Sequence, residues 1–132
     1  MKTHNLKINQ LAPEVYEWYL SYLEAIDNKD IEAYINFLAD DCVMLPNNNS
    51  PVQGKATILQ NLSHYWKTFS SLEHDLLNIY GDDLSFVLEA LNHYVRLDGK
   101  RVTVRAVAIT ERNKQGLVSS FRFYTDTTSI FE

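Results

Sequence analysis

The stretch LSFVLEALNHYVRLDGKRVTVRAVAITER, residues 84–112, decides the fold of this chain. It contains two runs in which β-branched and aromatic residues recur, 84–97 and 101–112, and Asp98-Gly99 stands between them. Because Asp-Gly suits the positive φ angles of a tight hairpin turn, the stretch predicts two long antiparallel strands joined by a short turn.

Strand patterns continue on both sides of this hairpin. Before it, the spacing becomes that of a strand from Glu73, and residues 76–80 end at Gly81-Asp82-Asp83. After it, residues 117–128 form one more strand-like run. Consecutive strands with turn residues between them predict an antiparallel meander in the C-terminal half of the chain.

The N-terminal half has helical spacing instead. Pro13 suits the first turn of a helix, and the apolar residues that follow share one face: Val15, Trp18, Tyr19, Tyr22, Leu23 and Ile26. Asp30 can cap a second helix that runs to Leu38, and Gly54 precedes a third helix that extends to Phe69. Between the second and third helices, residues 43–45 predict a short strand.

This order of elements predicts an α+β fold in which a sheet packs against three N-terminal helices. Residues 1–11 are polar and aperiodic, so we expect a flexible tail there. Residues 12–132 then form a single domain, because 132 residues suit one hydrophobic core.

The composition argues against several classes of function. Lys and Arg number 12 against 17 Asp and Glu, and the resulting net charge of −5 repels both nucleic acid and anionic membranes. No apolar run follows the basic N-terminus, and none is long enough to span a bilayer, so we expect a cytoplasmic protein.

The residues that commonly hold cofactors or act as nucleophiles are sparse. Cys42 is the only cysteine, and it follows Asp40 and Asp41, which disfavour a reactive thiolate. His64 and His74 have no second ligand at metal-binding spacing, and no glycine-rich phosphate loop is present. We therefore expect neither a metal nor a cofactor.

Four short segments, taken in order, resemble the nuclear transport factor 2-like superfamily, and within it the SnoaL-like branch. They are residues 22–26 before Asp30, residues 37–41, Val52-Gln53-Gly54 before the third helix, and Tyr124-Thr125-Asp126 in the last strand. The resemblance implies a cystatin-like cone, in which a curved mixed or antiparallel sheet wraps the helices around a pocket. It also implies a homodimer formed through the outer face of the sheet.

The superfamily's register implies which side chains enter the pocket. The expected ligand-binding residues are mostly apolar: Trp18, Leu91, Val95, Val104, Ala106, Ala108, Phe121 and Phe123. The same register places Glu89 and His93 inside, and Tyr22 matches the helix tyrosine that donates to an oxyanion in ketosteroid isomerases.

The resemblance argues against two known reactions of the superfamily. The isomerase base would lie near Leu45 or Pro46, and its second acid at Ala108, so neither carboxyl group is present. The Arg and two Asp of limonene epoxide hydrolase would map to about Glu89, Leu91 and Phe123. Without these groups both reactions lose most of their catalysis.

Two hypotheses remain. In the first, the cone binds an apolar small molecule and catalyses proton transfer of the isomerase, cyclase or hydratase type. His93 is then the acid or base, Tyr22 the hydrogen-bond donor and Glu89 the orienting group. In the second, the domain is a non-catalytic binding or assembly module whose pocket is filled by its own side chains.

Overall fold

A computed structural model describes residues 1–132 as seven strands and four helices. The strands are β1 (Ile8–Asn9), β2 (Leu38–Pro46), β3 (Val52–Gln53), β4 (Ser71–Gly81), β5 (Ser85–Val95), β6 (Arg101–Arg112) and β7 (Val118–Thr125). The helices are α1 (Pro13–Asp27), α2 (Ile31–Tyr34), α3 (Lys55–Tyr65) and α4 (Thr128–Phe131). None of the helices combines the length and the apolar character that crossing a membrane requires.

All seven strands form one sheet in the order β1-β4-β5-β6-β7-β2-β3. The four long strands β4 to β7 pair antiparallel as a meander, whereas β1 joins β4 and β2 joins β7 in parallel. Register shifts in three of the pairings mark irregularities of the bulge type, which bend strands and so curve a sheet. The predicted α+β fold, with a curved mixed sheet against N-terminal helices, is confirmed.

Helix α1 supplies much of the core that faces the sheet. Pro13 occupies its first turn as predicted, and the buried residues are Val15, Tyr19, Tyr22, Leu23 and Ala25. The short helix α2 begins where Asp30 accepts a hydrogen bond from the Ala33 N–H, which is the predicted cap. The helical spacing of the sequence thus located both helix starts.

The second helix is shorter than the sequence predicts. It ends at Tyr34, a 3-10 turn covers Ile35–Phe37, and β2 begins at Leu38. Asp40 and Asp41 are exposed while Cys42 and Met44 are buried, and β2 pairs in parallel with β7. Pairing between distant segments thus overrides the local helical spacing.

Three other boundaries also differ from the prediction. Helix α3 ends at Tyr65 rather than at Phe69, and β7 gives way to α4 after Thr125. The first eleven residues, expected to be a flexible tail, lie along β4, where Ile8 and Asn9 pair with Asn78 and Ile79. A two-residue strand has too few residues to show a period, so the sequence pattern could not reveal it.

Candidate functional site

A cavity of about 110 Å³ lies between the helices and the inner face of β4 to β7. Sixteen of its twenty lining residues are hydrophobic, so its walls suit an apolar molecule. The aromatic ones come from all three N-terminal helices and from two strands: Tyr19, Tyr22, Tyr34, Tyr65, Trp66, Tyr94, Phe121 and Phe123.

The residues of β5 that point into the cavity are not the ones that the family register implied. Leu88, Ala90 and Asn92 line the cavity, and they pair directly with Ala108, Ala106 and Val104 of β6. Residues that lie directly opposite each other in adjacent strands share a face of the sheet. The inward alanines of β6 therefore require the even-numbered residues of β5 to point inward as well.

The expected placement of four β5 residues was wrong for this reason. Glu89, Leu91, His93 and Val95 all lie on the outer face of the sheet, and none of them lines the cavity. The length of the hairpin loop sets this parity. A two-residue Asp98-Gly99 turn would pair Leu97 with Lys100, and His93 would then share a face with Val104. In the structure the loop is one residue longer, so Arg96 pairs with Lys100 and Val95 with Arg101, and the odd-numbered residues of β5 point outward.

The other expected ligand-binding residues are divided. Ala106, Ala108, Phe121 and Phe123 line the cavity, and Val104 is buried on the same face without reaching it. Trp18 does not line the cavity, contrary to expectation. It stacks beside Tyr22, packs edge-on against Phe37, and carries the Arg112 guanidinium 4.1 Å from its ring centre, so its ring is engaged by neighbouring side chains.

Both ring nitrogens of His93 are engaged by outer-face side chains. Nε2 lies 3.0 Å from Asp75 Oδ2, and Nδ1 lies 2.8 Å from Thr103 Oγ1. Burial acts to raise the pKa of Asp75, but hydrogen bonds from His93 and Asn5 outweigh it and lower that pKa. Glu89 accepts a hydrogen bond from Asn78 at 2.7 Å. The structure therefore does not bring His93 and Glu89 together with Tyr22.

A different histidine, His74 of β4, lines the cavity. Its Nδ1 lies 2.6 Å from Asp27 Oδ1, at the end of α1, and its backbone N–H donates to Asp27 Oδ2 at 3.1 Å. The two side chains are only 10% and 8% exposed. Its Nε2 forms no hydrogen bond within the protein. His74 and Asp27 thus form a buried pair, named here the inner pair, in which the Nε2 atom of His74 is free.

The sequence contains a signal for this pair that the search for metal ligands missed. Leu72, His74 and Leu76 alternate as one buried face of β4. Asp27 follows Leu23 by four residues, which is the spacing of neighbours on one side of a helix. A polar residue at a buried position of each element indicates that the two side chains meet.

Four tyrosine hydroxyls form two pairs in the cavity wall. Tyr22 Oη lies 2.9 Å from Tyr34 Oη, and Tyr65 Oη lies 3.3 Å from Tyr94 Oη. Burial raises the pKa of all four, so they are neutral hydroxyls at physiological pH. In each pair one hydroxyl donates to the other, whose proton is left free to donate to a ligand.

Two further polar atoms of the wall have no hydrogen-bond partner, although they are fully buried. They are Tyr19 Oη, in a residue that is 0% exposed, and Asn92 Oδ1, in a residue that is 8% exposed. Burial raises the pKa of Tyr19, and the nearby Thr110 hydroxyl opposes this rise only in part. No hydrogen bond of normal geometry joins the two side chains. An unsatisfied buried group costs about 1–3 kcal/mol, so each such atom in a native protein calls for an explanation.

A second, wider and more polar pocket of about 630 Å³ lies between residues 46–52 and helix α4. It shares Leu62, Tyr65 and Phe123 with the cavity. Uncharged polar side chains such as Asn49 and Asn61 line it. The two pockets are therefore neighbours, one mostly apolar and the other lined in part by uncharged polar side chains.

Cys42 and the acidic residues do not add a reactive centre. Burial, together with Asp41, raises the pKa of Cys42 to about 12, so its thiol stays protonated as the sequence indicated. No three His, Cys, Asp or Glu side chains come together in the arrangement that a metal ion requires.

Comparison with solved structures finds the same fold in other proteins. A protein of Shewanella denitrificans OS-217, provisionally named a SnoaL-like polyketide cyclase, matches with a TM-score of 0.77 and 13% identity over 87% of this chain and 92% of that chain. An LEH-like epoxide hydrolase from M. tuberculosis matches with a TM-score of 0.73 and 20% identity, over 89% of this chain and 86% of that one.

TerC, crystallised with polyporic acid, gives a TM-score of 0.75 at 16% identity, over 87% of this chain and 93% of its own. These identities are too low to carry more than the fold. A search of curated protein sequences finds no match. A family model of the SnoaL-like domain, however, matches residues 19–121, which is most of the chain. The chain belongs to the SnoaL-like domain family.

Proposed function

We propose that the protein binds an uncharged, mostly apolar small molecule in the cavity and catalyses proton transfer on it, with His74 as the acid or base. The observation that carries this proposal is the inner pair. His74 Nδ1 is held by Asp27, while its Nε2 is free and His74 forms part of the cavity wall. An imidazole titrates near neutral pH, so it can both take up and release a proton there.

Asp27 supports this role in two ways. Its carboxylate accepts a hydrogen bond from the Nδ1–H of neutral His74, which makes Nε2 the unprotonated nitrogen and fixes the ring. It also stabilises the imidazolium that forms when Nε2 takes a proton. The inner pair thus takes the roles of base and orienting group that the sequence had assigned to His93 and Glu89.

The reaction that fits this site begins at a carbon next to a carbonyl group. His74 Nε2 removes a proton from that carbon, and the electrons of the C–H bond form an enolate with its charge on oxygen. A neutral tyrosine hydroxyl, for which we propose Tyr22, donates to that oxygen. The imidazolium then returns its proton to another atom of the ligand, so the enzyme ends as it began.

The open cavity favours this function over the alternative of a non-catalytic module with a filled pocket. About 110 Å³ remains unfilled by side chains, and an engineered apolar cavity of about 150 Å³ is known to bind benzene. Among proteins with this fold, TerC was crystallised with polyporic acid, and one from Catenulispora acidiphila with trimethylamine. Those ligands support a small-molecule role for the cone.

We also propose that two copies associate through the outer face of the sheet. Val107 and Tyr124 lie directly opposite each other on β6 and β7, and they are 36% and 46% exposed. Sedimentation of wild-type protein and of Val107→Lys tests this, since a charge buried in a dimer interface is costly. We expect a dimer that dissociates in the variant, and a wild-type monomer would contradict the proposal.

Hydrogen exchange tests the proposed chemistry without knowledge of the natural substrate. Small cyclic ketones such as cyclopentanone and cyclohexanone are first tested for binding, and their α-protons are then followed by NMR in heavy water. We expect the wild type to speed exchange in a ketone that binds, and His74→Gln to abolish this effect. Binding without faster exchange would overturn the catalytic role and leave a binding module.

A further inference from the structure

We propose that Asn92 recognises a hydroxyl group of the ligand beside His74, so that the substrate class is an uncharged hydroxy-carbonyl compound. This inference rests on the proposed function for the carbonyl and for the role of His74. It adds the hydroxyl group and a residue that determines specificity for it. It starts from Asn92 Oδ1, which is buried in the cavity wall and lacks any partner in the protein.

The position of Asn92 links it to the inner pair. His74 on β4 and Asn92 on β5 are direct partners across the two strands, and both side chains line the cavity. The Cβ atoms of such partners lie about 5 Å apart. A ligand atom that contacts His74 Nε2 is therefore within one or two bonds of an atom that can contact Asn92.

The Asn92 amide has Tyr94 as its other neighbour, and it partly opposes the rise that burial causes in the Tyr94 pKa. Of the two ends of the amide, only the oxygen is a fully buried atom that lacks a hydrogen-bond partner. The oxygen is therefore the end available to a ligand.

Two hydrogen-bond acceptors consequently lie side by side at this end of the cavity. Asn92 Oδ1 can only accept, and Nε2 of neutral His74 also accepts because the imidazole proton is on Nδ1. No Lys or Arg side chain lines the cavity. A carboxylate or phosphate would face two acceptors without a compensating cation. A hydroxyl group on the carbon that loses its proton, or on the next atom, can instead donate a hydrogen bond to Asn92 Oδ1.

Binding of phenol and toluene tests this inference separately from catalysis. The two probes are nearly the same size and differ in one hydroxyl group, and both are small enough for a cavity of this volume. Their dissociation constants are measured by NMR titration of backbone and side-chain amides. We expect phenol to bind roughly three- to tenfold more tightly than toluene, as one added hydrogen bond predicts, and to shift the side-chain amide signal of Asn92.

Asn92→Leu removes the acceptor at nearly constant volume. We expect this variant to bind toluene as the wild type does and to lose the preference for phenol, with thermal stability unchanged or raised because an unsatisfied group is gone. Asn92→Thr restores an acceptor on a residue suited to a strand, and we expect it to recover part of the preference.

Equal affinity of the wild type for both probes, or a phenol preference that persists in Asn92→Leu, would overturn the inference. If neither variant folds, the wild-type titration alone decides, through the presence or absence of the phenol-dependent shift of the Asn92 amide. Loss of the phenol preference together with unchanged ketone exchange in His74→Gln would sustain Asn92 as a recognition residue while removing the proposed chemistry.

Discussion

Two histidine–aspartate pairs lie on the two faces of the same sheet, and they differ in what they leave unbonded. The inner pair, His74 with Asp27, has a free ring nitrogen at a cavity. The second, named here the outer pair, is His93 with Asp75, and Thr103 occupies its remaining nitrogen. His74 and Asp75 are adjacent in the chain, so strand alternation alone sends them to opposite faces.

The difference teaches that a histidine–aspartate contact does not by itself indicate catalysis. A base needs a nitrogen that can reach the substrate, and the outer pair has none free. With both nitrogens engaged, His93 can connect β4, β5 and β6 but cannot exchange a proton with a ligand. We therefore propose that the outer pair contributes to stability and that the inner pair carries the proposed chemistry.

The largest effect is expected from removing the inner histidine. His74→Gln should lower enzyme-catalysed ketone exchange by roughly 10²- to 10⁴-fold, the usual contribution of general acid–base catalysis. His93→Gln is the matched control, because it makes the same change on the other face of the sheet. We expect its exchange rate per folded molecule to stay within about twofold of the wild type, given that His93 does not reach the cavity. An equal loss in both variants would break the distinction between the pairs.

A smaller effect is expected from the inner aspartate. Asp27→Asn keeps the shape of the side chain but removes the charge that stabilises the imidazolium and holds the Nδ1 proton. We expect exchange to fall by roughly 10²-fold, with Asp75→Asn as the control on the outer face. Exchange that is unchanged in Asp27→Asn would show that His74 works without its partner.

The outer pair should dominate measurements of stability. His93→Gln leaves the Asp75 carboxylate, which is 5% exposed, with the Asn5 amide as its remaining side-chain partner. We expect the free energy of unfolding to fall by about 1–3 kcal/mol in chemical denaturation. A double-mutant cycle with Asp75→Asn isolates the contact from the individual substitutions. A coupling energy close to zero would mean that the two side chains do not stabilise each other.

The fold was predictable because its signals are local and repeated. The apolar face of α1, the Asp30 cap and the Asp98-Gly99 turn each follow from residues that are close in sequence. The site was less predictable, because His74 and Asp27 are 47 positions apart and meet only through tertiary packing. The face of β5 was also misassigned, because a two-residue Asp98-Gly99 turn and the observed loop, which is one residue longer, give opposite faces.

The start of β2 illustrates the same limit. Residues 31–38 have a helical pattern, and Asp30 caps the first turn, yet the chain leaves the helix after Tyr34 and becomes a strand at Leu38. Its partner is β7, about eighty positions later in the sequence. A pairing over that distance leaves no trace in the local pattern, so periodicity could not have located it.

The smallest effect should appear in the pH dependence of stability, where Asp75 again separates the pairs. Its pKa is lower in the folded protein than its usual value of 3.8, despite burial, because His93 and Asn5 bond to the carboxylate. The unfolded chain therefore binds more protons at this residue in acid, and stability rises with pH across that window. The contribution of Asp75 is complete above its usual pKa and is lost as the pH falls through the folded value.

Denaturation of wild type and Asp75→Asn at several acidic pH values measures this contribution as a difference. We expect the advantage of the wild type to be constant above about pH 5 and to shrink below about pH 4, where an ordinary aspartate begins to protonate. Asp40→Asn is a control, since Asp40 is exposed and forms no side-chain hydrogen bond. A difference that persists unchanged into strong acid would mean that packing of the Asp75 side chain, rather than its charge, is what the outer pair contributes.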